Sequence, residues 1–133
     1  MILVDSSVWI DFFKGRQSGQ TERLDSLLDS NELAIGDLIF TEVLQGCRIE
    51  KEFNQVRHLL GRLKLVVLGG SDIAVSAAKN YVKLRQLGVT VRGTIDVIIA
   101  TRCLADGVQL LHSDKDFDAF EAHLGLQVVK CAT

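Results

Sequence analysis

The chain has 133 residues, 47% hydrophobic and 24% charged, with a formal net charge of −2. This length predicts one domain spanning residues 1–133, with the composition of a soluble globular protein. No apolar run approaches the roughly 20 residues of a membrane span. The apolar opening has no basic region before it, so neither a membrane anchor nor a signal peptide is expected. Cys47, Cys103 and Cys131 are odd in number and lack C-x-x-C spacing. That pattern favours free thiols in a reducing, cytoplasmic setting over a disulfide framework or a zinc site.

Short apolar runs alternate with longer helical patterns. The first candidate strand is Ile2–Asp5, and Asp5 could cap the helix that follows it. Thr21–Leu28 sets Leu24, Leu27 and Leu28 on one helical face, and Leu33–Ile35 reads as a second strand. Asp37–Gly46 is bounded like a helix, with Glu42 inside it beside Val43 and Leu44. Phe53–Leu63 repeats apolar residues at helical spacing, and Lys64–Leu68 is the third strand. Ser71–Leu87 forms a longer helix stopped by Gly88. Thr94–Ala105 is almost wholly apolar, as expected of a helix packed on several sides, with Thr94 a candidate N-cap and Asp96 in the first turn. Strand Gln109–His112, helix Phe117–Leu124 and strand Leu126–Val129 complete the chain. This order predicts a three-layer α/β/α domain with a mostly parallel sheet of about five strands.

Five acids stand out by their settings. Asp5 ends an apolar strand, Glu42 and Asp96 are embedded among apolar residues, and Asp114 and Asp116 follow Leu110-Leu111-His112. Carboxylates are rarely buried unless paired. In open parallel sheets, ligands bind beyond the carboxyl ends of the strands, where the strand order reverses. If the first and fourth strands are neighbours, Asp5 and Asp114 meet there. Clustered carboxylates repel unless cations or shared protons neutralise them. Oxygen ligands without clustered Cys or His suit Mg²⁺ or Mn²⁺, as one or two ions, rather than Zn²⁺. Such ions hold phosphates and activate water for phosphodiester hydrolysis. Setting aside the five acids leaves the rest of the chain at +3, so a nucleic-acid substrate is allowed.

The motifs around these acids resemble those of the PIN-domain family, specifically its VapC-type ribonuclease toxins. Ile2-Leu3-Val4-Asp5-Ser6-Ser7-Val8-Trp9 resembles the family's opening motif, and Glu42-Val43-Leu44-Gln45-Gly46 its E-x-L-x-G helix. Thr94-Ile95-Asp96 with Ile99-Ala100 resembles the third motif, and Ser113-Asp114-Lys115-Asp116-Phe117 the fourth. The resemblance covers essentially the whole chain. It implies a metal-dependent endoribonuclease, the toxin of a type II toxin–antitoxin pair, cutting RNA with a metal-activated water. Asp5, Glu42, Asp96 and Asp114 would hold the metal, with Asp116 as a further ligand or water-orienting group. Ser7 and Thr94 would support the ligands through hydrogen bonds, and Arg92 and Lys115 could contact RNA phosphate. The implied partners are a VapB-type antitoxin and a second copy of the chain.

Two other readings stay open. A phosphatase with an aspartyl nucleophile usually shows D-x-D after its first strand, and Ser7 stands in that place here. A non-catalytic RNA- or protein-binding module could share the fold, though it would not need all the acids.

Overall fold

A computed structural model describes residues 1–132. The chain runs β1 (Ile2–Val4), α1 (Ser6–Phe13), α2 (Gly19–Leu27), β2 (Leu33–Gly36), α3 (Asp37–Gln45), α4 (Glu50–Leu60), β3 (Lys64–Val66), α5 (Ser71–Gln86), α6 (Thr94–Asp106), β4 (Gln109–Leu111) and α7 (Asp118–Leu124). A 3₁₀ turn, Lys115–Phe117, leads into α7. The strands form one parallel sheet in the order β3-β2-β1-β4. Parallel strands need crossovers, and these are right-handed almost without exception. The chain steps from β1 to β2 to β3 in one direction, then returns across the sheet to β4. Right-handed crossovers therefore put α1–α4 on one face and α5–α6 on the other, giving the expected three layers.

Covered faces explain why these strands read as continuous apolar runs rather than alternating ones. Ile2, Leu3 and Val4 of β1 and Leu33, Ala34 and Ile35 of β2 are all buried. β3, which opens on Lys64, is an edge strand and largely exposed. On the α1 side, Trp9 is fully buried, stacked on Phe13 with ring centroids 5.8 Å apart and edge-on to Phe12 at 6.3 Å. On the other face, Asn80 of α5 donates to buried Thr101 of α6 at 3.0 Å.

The expected fifth strand, Leu126–Val129, is reduced to a single parallel bridge, Leu110 with Val128. Its backbone bonds are Leu110 N to Gln127 O, 2.9 Å, and Val129 N to Leu110 O, 3.0 Å. Leu126 and Val129 are buried while Gln127 and Lys130 face solvent. The segment thus packs on the edge of β4 without continuing a ladder. Among the described residues no helix is long and apolar enough to cross a membrane.

Candidate metal centre

β1 and β4 pair in parallel with Val4 opposite Leu111, and Asp5 N donates to Leu111 O at 2.9 Å. The strand order reverses between these two strands, so their carboxyl ends open into the crevice where this architecture binds ligands. Asp5 stands at one lip. The residue is only 2% exposed. Oδ2 accepts from Ser7 N at 3.0 Å and from Ser7 Oγ at 2.6 Å, which makes Asp5 the N-cap of α1. The capping reading of Asp5 therefore holds, through Oδ2. Oδ1 is buried and has no hydrogen-bond partner. An unpartnered buried carboxylate oxygen is costly unless a cation or proton completes it.

The Ser7 hydroxyl, while donating to Asp5, accepts from Ser113 N at 3.2 Å. It ties the end of β1 to the loop that carries Asp114. Ser6, which the sequence reading did not single out, donates its hydroxyl to Glu42 Oε1 at 3.3 Å and links α1 to α3. Its signal was the second hydroxyl of Asp5-Ser6-Ser7: a helix starting at that strand end points its first side chains at the same crevice.

Asp114 caps the 3₁₀ turn, with Oδ1 accepting from Asp116 N at 2.9 Å. Its own N–H donates to His112 Nδ1 at 3.2 Å, and the His112 ring lies 4.9 Å from that of Phe117. Asp96 is the third residue of α6. Thr94 does not cap that helix, contrary to expectation: Gly93, in extended conformation, holds the cap position, and Thr94 is the first helical residue with an exposed side chain. The Asp96 carboxylate folds back over this cap residue, where a Cβ would lie 3.2 Å from Asp96 Oδ2. Arg92 and Lys115 are both exposed.

Carboxylate oxygens of Asp96, Asp114 and Asp116 all lie within 4.8 Å of one another. Asp5 and Glu42 lie outside that group but close enough for their charges to act on Asp96. Burial, the Asp5 carboxylate and then Asp114, Glu42 and Asp116 push the Asp96 carboxyl up to about 7. The α6 N-terminus favours the ionised form by about 0.3–1 kcal/mol, and burial with four like charges outweighs it. Asp5 is raised by burial and then by Asp114, against the lowering effect of its bonds to Ser7. Glu42 is raised by burial and then by Asp5, against its bond from Ser6.

The donors fit a hard divalent cation. All are carboxylate oxygens, three residues offer them within one small sphere, and a buried fourth oxygen lacks a partner. Oxygens about 2.1 Å from Mg²⁺ stand at most about 4.2 Å apart, so small side-chain rotations would suffice. The described residues contain no comparable group of His, Cys, Asp and Glu side chains elsewhere.

A PIN-domain family model matches residues 2–122. The chain is 28% identical over 129 residues to a protein named VapC ribonuclease Mb1587 from Mycobacterium bovis, covering 96% of each chain. The same figures hold for a protein named Ribonuclease VapC11 from Mycobacterium tuberculosis. Among solved structures, a chain of the VapBC2 complex of Rickettsia felis bound to promoter DNA superposes with a TM-score of 0.75 at 17% identity, covering 97% of this chain and 98% of that one. A chain of VapBC-1 from nontypeable Haemophilus influenzae gives 0.73 at 21% identity, covering 98% of each. At these identities the structural likeness speaks to the fold.

Proposed function

The chain belongs to the PIN-domain family, and from that premise we propose that it is a divalent-metal-dependent endoribonuclease, the toxin of a VapC-type toxin–antitoxin pair. The observation that carries the reading is the gathering of Asp5, Glu42, Asp96, Asp114 and Asp116 at the β1/β4 switch point, with Asp5 Oδ1 buried and unpartnered. The names of the relatives in Mycobacterium support the substrate class.

In this reading Asp5, Asp96 and Asp114 hold Mg²⁺ or Mn²⁺, and Glu42 and Asp116 complete the cage. The ion supplies phosphate binding, water activation and stabilisation of the leaving oxygen. The chain's own hydroxyls do the orienting. Ser7 holds one Asp5 oxygen in place and leaves the other free for the ion, and Ser6 fixes the Glu42 carboxylate. Lys115, between the two acids of the 3₁₀ turn, and Arg92, four residues before Asp96, contact RNA phosphates. Outside the five acids the chain carries +3, so metal loading turns the crevice from repelling RNA to tolerating it.

Two partners complete the proposal. One is a VapB-type antitoxin whose C-terminal segment closes the crevice; the solved neighbours are VapBC complexes. The other is a second copy of the chain. An apolar groove of about 460 Å³ between α5 and α6, lined by Ala77, Tyr81, Val91 and Val97, offers a docking face beside exposed Val75 and Val82.

The test is cut-site mapping in total RNA after brief expression, wild type against Asp5→Ala. Discrete cuts that vanish in a folded Asp5→Ala protein are expected. Undiminished cutting by that variant would remove the acids from the mechanism.

A further inference from the structure

The segment between β3 and α5 is held by side chains rather than by the sheet. β3 is three residues long and lies at the exposed edge. Beyond it, the backbone of Leu68 bonds in both directions. Its N–H donates to Asp37 Oδ1 at 3.0 Å, and its carbonyl accepts from Arg102 Nε at 3.2 Å. Asp37 Oδ1 also accepts from Leu38 N at 2.9 Å, inside the first turn of α3. Arg102 Nη2 donates to Gly69 O at 2.8 Å, while Nη1 lies 3.5 Å from Asp106 Oδ1 on its own helix. The Leu68 side chain is fully buried against Gly36, where any Cβ would come within 2.6 Å of Leu68 Cδ1.

Asp37 and Arg102 are thus on α3 and α6, the helices that carry Glu42 and Asp96. Arg102 is six residues after Asp96, about 9 Å along the helix axis, and Asp37 is five residues before Glu42. Neither is among the groups acting on the Asp96 carboxyl. A guanidinium with two donors on successive carbonyls gives a fixed orientation that a point charge cannot. The Arg102 side chain is only 23% exposed, so solvent competes weakly for those carbonyls.

We propose that Asp37 and Arg102 form a brace through Leu68 that sets the separation of α3 and α6, and so the separation of Glu42 from Asp96 at the metal centre. Both are positioning residues. The proposal rests on the metal-centre reading and adds to it the device that holds the cage to size. Carboxylates that repel one another drift apart unless their helices are tied, and this tie crosses from one helical layer to the other at the end of the sheet where the acids lie.

Mn²⁺ binding, followed by electron paramagnetic resonance of the free ion, tests the brace without reference to RNA cleavage. Arg102→Gln and Asp37→Ala should each weaken Mn²⁺ binding on the order of tenfold, the scale of losses when residues supporting metal ligands are removed. The double variant should be no weaker than about tenfold, because both changes release the same loop. Asp37→Asn keeps an acceptor oxygen and Arg102→Lys keeps one donor, so both should fall nearer the wild type. Asn80→Ala, which removes the Asn80–Thr101 bond between α5 and α6, should lower the melting temperature and leave Mn²⁺ affinity unchanged. If Arg102→Gln does not fold, Asp37→Ala set against Asp37→Asn carries the comparison. Wild-type affinity in folded Asp37→Ala or Arg102→Gln, or losses that multiply to about a hundredfold in the double variant, overturns the brace alone. Absence of Mn²⁺ binding by the wild type overturns the metal-centre reading and the brace with it.

Discussion

Replacing Asp96 with Asn should stabilise the metal-free protein while destroying its activity. In the folded chain, burial and four neighbouring carboxylates lift the Asp96 carboxyl from 3.8 to about 7. Each tenfold change in proton affinity corresponds to about 1.4 kcal/mol, so the ionised form would cost at most about 4 kcal/mol relative to the unfolded chain. The carboxylate is only half-buried, and solvent screening leaves about 1–2 kcal/mol of that. The sign follows from linkage. A raised folded value means the native state binds the proton more tightly than the unfolded chain. The penalty is therefore fully present above about 7 and is lost as pH falls towards 4. At pH 8 Asp96→Asn should raise the melting temperature of the metal-free protein by about 4–8 °C, taking about 4 °C per kcal/mol at this chain length. At pH 5 the difference should shrink towards zero, because the wild-type carboxyl is then protonated. Differential scanning calorimetry in chelator at both pH values measures this. A variant no more stable than wild type at pH 8, or a gain independent of pH, refutes the idea that the acids are packed against their own repulsion.

Other consequences can be checked separately. Asp5→Asn keeps an acceptor for Ser7 and should preserve the circular dichroism spectrum, while RNA cleavage falls at least about a hundredfold, since the ion supplies several kcal/mol. Mg²⁺ at about 100 times its dissociation constant should stabilise the protein by about 2.7 kcal/mol at pH 8. That gain should fade below pH 7 as protons compete for Asp96, which a thermal-shift titration reads directly. Trp9→Ala opens a hole under the α1 aromatic cluster and should cost about 3–5 kcal/mol in urea unfolding. Val82→Glu, placed on the exposed edge of the α5–α6 groove, should leave a monomer by light scattering if two copies meet there.

The sequence carried more of the site than of the fold's edges. Asp5 is legible because a carboxylate directly after Ile2-Leu3-Val4 has no solvated face to turn to, and its strand neighbour β4 ends in the same way before Asp114. The supports were harder to see. Ser6 binds Glu42 across 36 positions, and no local pattern encodes such a pair. Asp37 reads as an ordinary helix-start acid, and its bond to Leu68 depends on the order of β2 and β3 in the sheet. Thr94 has the residue type of a cap, yet the helix starts one residue earlier, with Gly93 as its cap beneath the Asp96 carboxylate. Leu126–Val129 has the composition of a strand, but it lies outside the sheet edge and makes only one bridge. Composition reports β-propensity and cannot report whether a partner strand is long enough to pair with.

If these five acids hold a divalent cation used in RNA cleavage, the ion can be located in the crevice. Anomalous scattering from crystals grown with Mn²⁺, paired with cleavage assays on the same preparation, tests it most directly. A manganese peak is expected within ligand distance of Asp5 Oδ1, Asp96 and Asp114, with RNA cleavage that stops on chelation. Cleavage persisting in chelator, or manganese bound only away from this crevice in an active preparation, would contradict it.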